Sequence, residues 1–462
     1  MLRDMTEGSP AKLIWTFSVP MFIGSIFQQL YNMADAIVVG RYVGPNALAA
    51  VGTSFPIIFL LVSLVLGMTM GSGVVISQFF GAKDLVKMRR AVTTALAFQL
   101  VFAAFLGGLG IVLSRPLLVL LNTPDVILAD AAAYMQIFFG GILFMFAYNA
   151  LAGILRSLGD SKTPLYFLII SSLLNVALNI YFVIGLNLGV RGVAWATLIA
   201  QGVSSVLTFL YIYRFVPLLQ FKRSELAFDW DIFWAMVRIG APSSLQQALA
   251  SVGMLAVQAL VNSFGPITMA AYTAASRMDS FAMIPIMNFG MAVSTFTGQN
   301  VGANRLDRVV QGLKATLLMV VGACLVVSIL VFTMGGQMIQ LFVSGAQPEI
   351  ISQGVDYMRT ISFFYSVFGG LMVVNGVLRG AGDAWVPMVT TLTSLAVRVL
   401  SAYLLVNTAL TYRGIWWSIP IGWSVAAVVP TYRYFSGAWK AKAVVRQNLL
   451  AQIEPVVAGT TD

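Results

Sequence analysis

The sequence has no histidine and only one cysteine, Cys324. Those absences exclude His/Cys metal sites, Cys–His nucleophiles, Ser-His-Asp triads and disulfide frameworks. Charge is also scarce. Only 10% of the 462 residues are Asp, Glu, Lys or Arg, against about 25% in an ordinary soluble protein. Apolar residues make up 59%, and the mean hydropathy is +0.88. A soluble globule and a disordered chain are both excluded, which leaves a polytopic membrane protein. No G-x-x-x-x-G-K-[ST] phosphate loop is present, so ATP is not the expected energy source.

What the chain does have is long charge-free runs. A membrane helix needs roughly 20 apolar residues to cross about 30 Å of hydrocarbon. Lys12 to Arg41 holds one charge, Asp35, and Arg41 to Lys83 holds none. Further free runs are 91–114, 131–155, 163–190, 192–213, 239–276, 280–304, 315–348, 360–378 and 414–432, while 384–412 carries only Arg398. These amount to twelve spans, too long and too uniformly apolar for a β-barrel. The first run is of full length and lacks a small-residue cleavage site, so no cleavable signal peptide is expected.

The basic residues orient the spans. With the N-terminus in the cytoplasm, the inside segments hold 20 of the 27 Lys and Arg residues, and the outside loops hold Arg41, Arg115, Arg191 and Arg413. Both termini are then cytoplasmic. The net charge of +10 is explained by this bias, and no nucleic-acid partner is implied.

The chain also repeats itself at an offset of about 222 residues, as from Pro20 to Pro242. Span 2 ends in Gln78-Phe-Phe-Gly81-Ala82 and span 8 in Gln299-Asn-Val-Gly302-Ala303. Span 4 ends in Leu155-Arg156-Ser-Leu-Gly159-Asp160 before Pro164, and span 10 in Leu378-Arg379-Gly-Ala-Gly382-Asp383 before Pro387. Tyr134 matches Tyr357, and Gly192 with Trp195 matches Gly414 with Trp417. Six spans per half is an even number, so both halves start on one side and the repeat is parallel. The expected division is residues 1–215, a cytoplasmic connector at 216–230, a second half at 231–440, and a polar tail at 441–462. Two-lobed transporters of this kind bind substrate between the lobes and alternate access by rocking.

The paired Q-x-x-G-A and L-R-x-x-G-D-x-x-x-P motifs resemble those of the multidrug and toxic compound extrusion (MATE) transporters. So does Gln28-Gln-Leu-Tyr-Asn-Met-Ala-Asp35 in span 1. The resemblance covers the chain to about residue 440 and is nearest to the DinF-like branch. It implies an all-α, V-shaped pair of six-helix lobes. It also implies a monomer in the bacterial inner membrane that exports cationic or amphipathic compounds in exchange for protons or sodium ions, with no bound cofactor.

Asp35 is the acid well inside the first six spans. An ionisable group at membrane depth reads as functional by default. The other reading is a carboxylate neutralised by a fixed partner, with Arg41 nearest in sequence. Asn175 and Asn179 in span 5 stand i, i+4 and share a face. They would either join Asp35 or hold span 5 to a neighbour. The resemblance adds hydroxyls from Thr197 in span 6 and Tyr134 in span 4. It also shows a departure: sodium-binding relatives of this branch tend to carry a second acid where this chain has Asn179. A hard cation wants several charged oxygens, so proton coupling is expected.

Pro20 permits a kink in span 1, either as a hinge responding to Asp35 or as a static bend. Arg277 and Asp279 in span 8 and Arg398 in span 11 are candidates for the central cleft. Arg277 and Asp279 do not face each other, and Arg398 could pair with Asp279 or cap carbonyls. In the second half Val257 stands where Asp35 does in the first, with Gln258 beside it and Asn375 in span 10, so coupling there is not expected. The L-R-x-x-G-D loops read as structural or gating elements. Some of the 22 methionines and 31 phenylalanines would line a drug cavity, since thioethers and aromatic faces suit varied amphipathic cations. The rival reading is a lipid-linked flippase, which would need several cavity arginines. A membrane-embedded enzyme lacks a catalytic constellation.

Overall fold

The computed structural model of the chain describes residues 2–220, 227–340 and 348–445, with side chains left aside at 251, 252 and 254. Connector residues 221–226 and the tail beyond 445 lie outside the described residues. Helix dominates, and no strand occurs among the described residues. The helices are α1 Pro10–Val38, α2 Pro45–Gly81, α3 Leu85–Leu120, α4 Asp125–Gly140, α5 Ile142–Ser157, α6 Lys162–Asn179 and α7 Gly189–Phe215. They continue as α8 Trp230–Asn262, α9 Pro266–Gly302, α10 Leu306–Gln340, α11 Pro348–Ser362, α12 Tyr365–Gly380, α13 Trp385–Leu405 and α14 Arg413–Phe435.

Nine described helices are long and apolar enough to cross a membrane. The pairs α4–α5 and α11–α12 each make one broken span, bent by 46° and 47°. The expected twelfth span falls on α14, 23 residues that include Pro420 and Pro430, which is not among those nine helices or two pairs. Spans 4 and 10 therefore differ from the straight runs expected at 131–155 and 360–378. They begin earlier, at Asp125 and Pro348, and break in the middle. The first break has a visible cause. A Cβ at Gly141 would lie 2.4 Å from the Leu198 side chain, so α7 crosses where α4 gives way to α5.

The L-R-x-x-G-D loops explain their own letters. Gly159 has φ +85° and Gly382 has φ +98°, a left-handed conformation that favours glycine and ends a helix. Asp160 then accepts from the backbone of Lys162 and Thr163 at 3.1 and 3.0 Å and from the Thr163 hydroxyl at 2.7 Å. Asp383 instead accepts from Arg433 Nε at 2.7 Å. Arg156 and Asp160, and Arg379 and Asp383, are spaced i, i+4 but do not pair, because the helices stop at Ser157 and Gly380.

The halves exchange the starts of their first helices. Leu13, Ile14 and Phe17 of α1 bury among residues of α9, α10 and α12. Ile232, Met236 and Ile239 of α8 bury with α2, α3 and α5. The ends of the chain do likewise. Met5 donates its backbone N–H to Gln299 Oε1 at 2.8 Å, and Val444 donates to Gln78 Oε1 at 2.7 Å. The start of the tail is therefore not a polar fringe: Val444 and Val445 pack on the first-half core. The N-terminal strap is also held by an ion pair between Lys83 and Asp4. Burial raises the Asp4 carboxyl, but hydrogen bonds from Lys83 and Thr6 outweigh it and hold the group below its ordinary value. That contribution is present above the ordinary carboxylate range and is lost on acidification.

Beneath these straps the two Q-x-x-G-A motifs meet. Gln78 Nε2 donates to the Gly380 carbonyl and Gln299 Nε2 to the Ser157 carbonyl, both at 3.0 Å. A Cβ at Gly81 would lie 1.9 Å from the Gln299 carbonyl oxygen, and one at Gly302 would lie 1.9 Å from that of Gln78. Farther along, Ser244 Oγ donates to the Leu64 carbonyl at 2.8 Å. Small residues let helix backbones approach where no water competes. The result is a closed seam at the basic face of the bundle.

The seam makes a paired stability prediction. A Cβ at Gly67 would sit 2.1 Å from the Ser244 backbone nitrogen, whereas Gly322 has nothing within 4 Å. Gly67→Ala is expected to destabilise by about 1–3 kcal/mol through overpacking. Gly322→Ala is expected to stabilise, by up to about 1 kcal/mol from helix propensity. Thermal unfolding followed by tryptophan fluorescence checks the opposite signs, and equal shifts would remove the steric account.

Candidate functional site

Asp35 lies one turn before α1 ends, and its Oδ1 accepts from Asn179 Nδ2 at 2.5 Å. The same amide nitrogen donates its second hydrogen to Asn175 Oδ1 at 2.7 Å. Asn175 Nδ2 in turn reaches Tyr31 Oη at 3.4 Å and Thr197 Oγ1 at 3.3 Å. Tyr31 closes the ring by donating to Thr197 Oγ1 at 3.3 Å. Three elements therefore supply one chain of polar groups: α1, α6 and α7. Asn175 and Asn179 are fully buried and Asp35 partly so. The structure thus brings together Asp35, Asn175, Asn179 and Thr197. Arg41 makes no pair with Asp35 and lies exposed beyond the helix end.

Two features close the site on the side away from the seam. The chain widens into π-helix at Val39–Val43 after α1 and at Ile180–Gly185 after α6. These wide turns follow directly on the polar pair, and such insertions are frequent at functional sites. Val38, Val39, Val183, Val190 and Val193 form an apolar cap, with Tyr134 packed against it. Tyr134 lies within electrostatic reach of Asp35 but makes no hydrogen bond among the described residues. Its place is in the cap and not in the ring.

Tyr31 is the member that sequence reasoning missed, although it stands inside the quoted span-1 motif. The usable signal was its i, i+4 spacing from Asp35, which puts both on one face. Pro20 sits within an unbroken α1. It borders a cavity of about 350 Å³ with Gly24 and Gln28 of α1, Leu165 and Leu168 of α6 and Asn288 of α9. Asn288 Nδ2 donates to Ser25 Oγ at 3.0 Å and ties α1 to α9 there.

The second-half candidates separate. Arg277 is exposed. Asp279 accepts from Tyr365 Oη at 2.6 Å and lies within the charge field of Arg398 without an ion pair. Arg398 Nε is buried and unpartnered, and its side chain lines a second cavity of about 410 Å³. Trp416 is fully buried among Tyr272, Tyr357 and Tyr412, with the Tyr272 ring stacked on it at 5.8 Å. The arginines of the two L-R-x-x-G-D motifs were read as parts of loops. The structure places Arg156 and Arg379 in the wall of the 410 Å³ cavity instead. They end their helices facing inward, so cavity arginines are present beyond the Arg277 and Arg398 that the sequence offered for the cleft.

Comparison with known proteins agrees with this architecture. The sequence model of the MatE family matches residues 20–181 and 242–404, one match in each half. The probable multidrug resistance protein YoeA of Bacillus subtilis is 31% identical over 93% of this chain and 94% of its own length. The multidrug export protein MepA of Staphylococcus saprophyticus is 23% identical over 91% of this chain and 93% of its own. A structure of a MATE family transporter in its outward-facing conformation superposes with a TM-score of 0.89 at 26% identity, over 95% of this chain and 98% of that one. Structures of MATE in the straight and bent conformations each superpose at 0.88 and 26% identity, over the same shares of the two chains. Paired family matches on a twelve-span helical frame, with relatives aligned from end to end, leave one assignment: this chain belongs to the MatE family and is a multi-pass multidrug transporter, not an enzyme.

Proposed function

We propose that this transporter exports amphipathic and cationic compounds in exchange for protons, and that Asp35 is the coupling carboxyl. The supporting observation is the chemistry of its partners, which among the described residues are amides and hydroxyls with no cation. A fixed arginine would hold Asp35 ionised, and its own charge would be stranded whenever Asp35 was protonated. Neutral partners serve both states. Asn179 Nδ2 donates to the carboxylate. Asn179 Oδ1, buried and without a partner, can accept from the protonated acid. A cationic compound competes with the proton for the same carboxylate, which makes the two bind alternately.

One carboxylate with amide neighbours suits a proton better than a sodium ion, which needs several charged or carbonyl oxygens at once. Protonation would rearrange the ring formed by Tyr31, Asn175, Asn179 and Thr197, and α1 would bend at Pro20. Gly24 and Gln28 would move into the 350 Å³ cavity and displace its contents. Similar structures are described as MATE in a straight and in a bent conformation, so a fold of this kind takes two shapes. By the distribution of its Lys and Arg residues, the seam and both termini face the cytoplasm, in a bacterial plasma membrane. The protein works as a monomer.

Reconstituted vesicles test this directly. With a pH gradient and no sodium, wild-type protein is expected to exchange a fluorescent cation, and Asp35→Asn is expected to fall to the level of empty vesicles. Exchange surviving in that variant would move coupling away from Asp35. Asn179→Asp adds a second carboxylate to the ring, so its exchange is expected to become sodium-sensitive while the wild type stays insensitive. Pro20→Ala restores a backbone hydrogen bond in α1 and should lower turnover with equilibrium binding of the cation kept. Normal transport by Pro20→Ala would eliminate the hinge.

A further inference from the structure

The seam forms the floor of a cleft, and two arginines stand on it. Arg156 ends α5 and Arg379 ends α12, at corresponding positions of the repeat. Both line a small cavity of about 60 Å³ beside the hydroxyls of Ser77, Ser157, Ser294 and Thr295. Both also line the 410 Å³ cavity that continues from it. Neither forms an ion pair with any described residue. Arg379 donates from Nη2 to Gln246 Oε1 at 2.9 Å, and its Nε is buried with no partner. Arg156 makes no hydrogen bond to a described residue, and the ionisable group beside it is the neutral phenol of Tyr148. The acids of their own motifs are committed elsewhere, Asp160 to the start of α6 and Asp383 to Arg433.

A helix C-terminus offers a guanidinium only part of a negative charge. Two such groups, half-buried side by side without a carboxylate, carry charge that a counterion can meet. Their planar forks match the tetrahedral oxygens of a phosphate. The walls above are apolar and adaptable, with Met287, Met291, Phe368, Met372 and Trp423. Arg398 stands higher in the same cavity, with its Nε also unpartnered. The cavity is therefore basic at its floor and oily along its side.

We propose that Arg156 and Arg379 form an anion subsite at the base of the cleft, which takes the phosphate head of an amphipathic substrate whose alkyl tail lies in the cavity above. The assignment deepens the transport reading, and it rests on that reading only in treating the cleft as the substrate's path. Substrates of this transporter then extend from cations to zwitterions and phosphate-bearing amphipaths.

Equilibrium binding to the purified full chain in phosphatidylcholine nanodiscs tests the subsite. The probes are dodecyl phosphate, dodecyltrimethylammonium and inorganic phosphate. Wild type is expected to bind dodecyl phosphate at least about tenfold tighter than dodecyltrimethylammonium, as charge-assisted pairing with two guanidinium groups requires. The double variant Arg156→Gln with Arg379→Gln is expected to lose that preference while still binding dodecyltrimethylammonium. No preference in wild type, or an undiminished one in the double variant, overturns the proposal. If the glutamine variant does not fold, Arg156→Lys with Arg379→Lys decides. A weakened preference supports the forked site, and an unchanged one overturns it. Displacement of the probe by inorganic phosphate assigns the subsite to soluble phosphates. Weaker probe binding in phosphatidylglycerol discs assigns it to a lipid head. Both outcomes keep the anion site. No gradient enters these measurements, so a failure of proton coupling would leave them unmoved and would show only in vesicle exchange.

Discussion

Backbone laid on backbone at the basic face is the contact on which the rest of this structure depends. Gly81 rests on the Gln299 carbonyl and Gly302 on that of Gln78, with no side chain between them. Each glutamine then crosses to the other half, Gln78 to Gly380 and Gln299 to Ser157. Hydrocarbon offers no hydrogen bonds, so a carbonyl left over at a helix end has to be met by the protein. The two motifs meet that need for each other. A larger residue at either glycine would part the halves and leave four groups unpaired. With this end closed, the cleft above it has a floor, and the arginines that end α5 and α12 can face inward from it.

Polar groups inside the bundle are handled in two ways. Around Asp35 nearly everything is satisfied: Asn175, Tyr31 and Thr197 form a closed ring, Asn179 joins it to Asp35, and one oxygen, Asn179 Oδ1, is left over. On the proposed reading that single vacancy accepts the proton when the carboxyl carries one. Along the cleft the accounting is open, because Arg379 Nε at its floor and Arg398 Nε above have no partner among the described residues. A closed ring that tolerates either charge state suits coupling. Unmet donors in a cavity wall suit a ligand. On the proposed reading the first half takes the ion and the cleft the substrate, while in the second half the acid Asp279 is tied to Tyr365.

Helix shape connects the two. The bends within spans 4 and 10 and the π-turns after α1 and α6 all lie away from the seam. A helix that is already widened or broken can change its path at lower cost than a straight one. The closed end is stiff because backbones touch there, and the irregular turns are concentrated on the other side of the network.

The sequence by itself determined the class, the twelve spans, the parallel repeat and most of the Asp35 neighbourhood. Each of these follows from local spacing: twenty apolar residues make a span, and i, i+4 puts Asn175 and Asn179 on one face. Tertiary structure decided what spacing cannot carry. Arg41 is near Asp35 in sequence and makes no pair with it, while Asn179 is 144 residues away and touches it. Arg156 and Asp160 look like a helical pair, but a left-handed glycine at 159 ends the helix and turns them apart. The exchange of the first turns of α1 and α8 between halves depends on which surfaces meet in three dimensions, and no periodicity records that. Periodicity reports which face of a helix is apolar. Whether a charge on that helix finds a counter-charge depends on the neighbour across the gap, and only the folded chain supplies the neighbour.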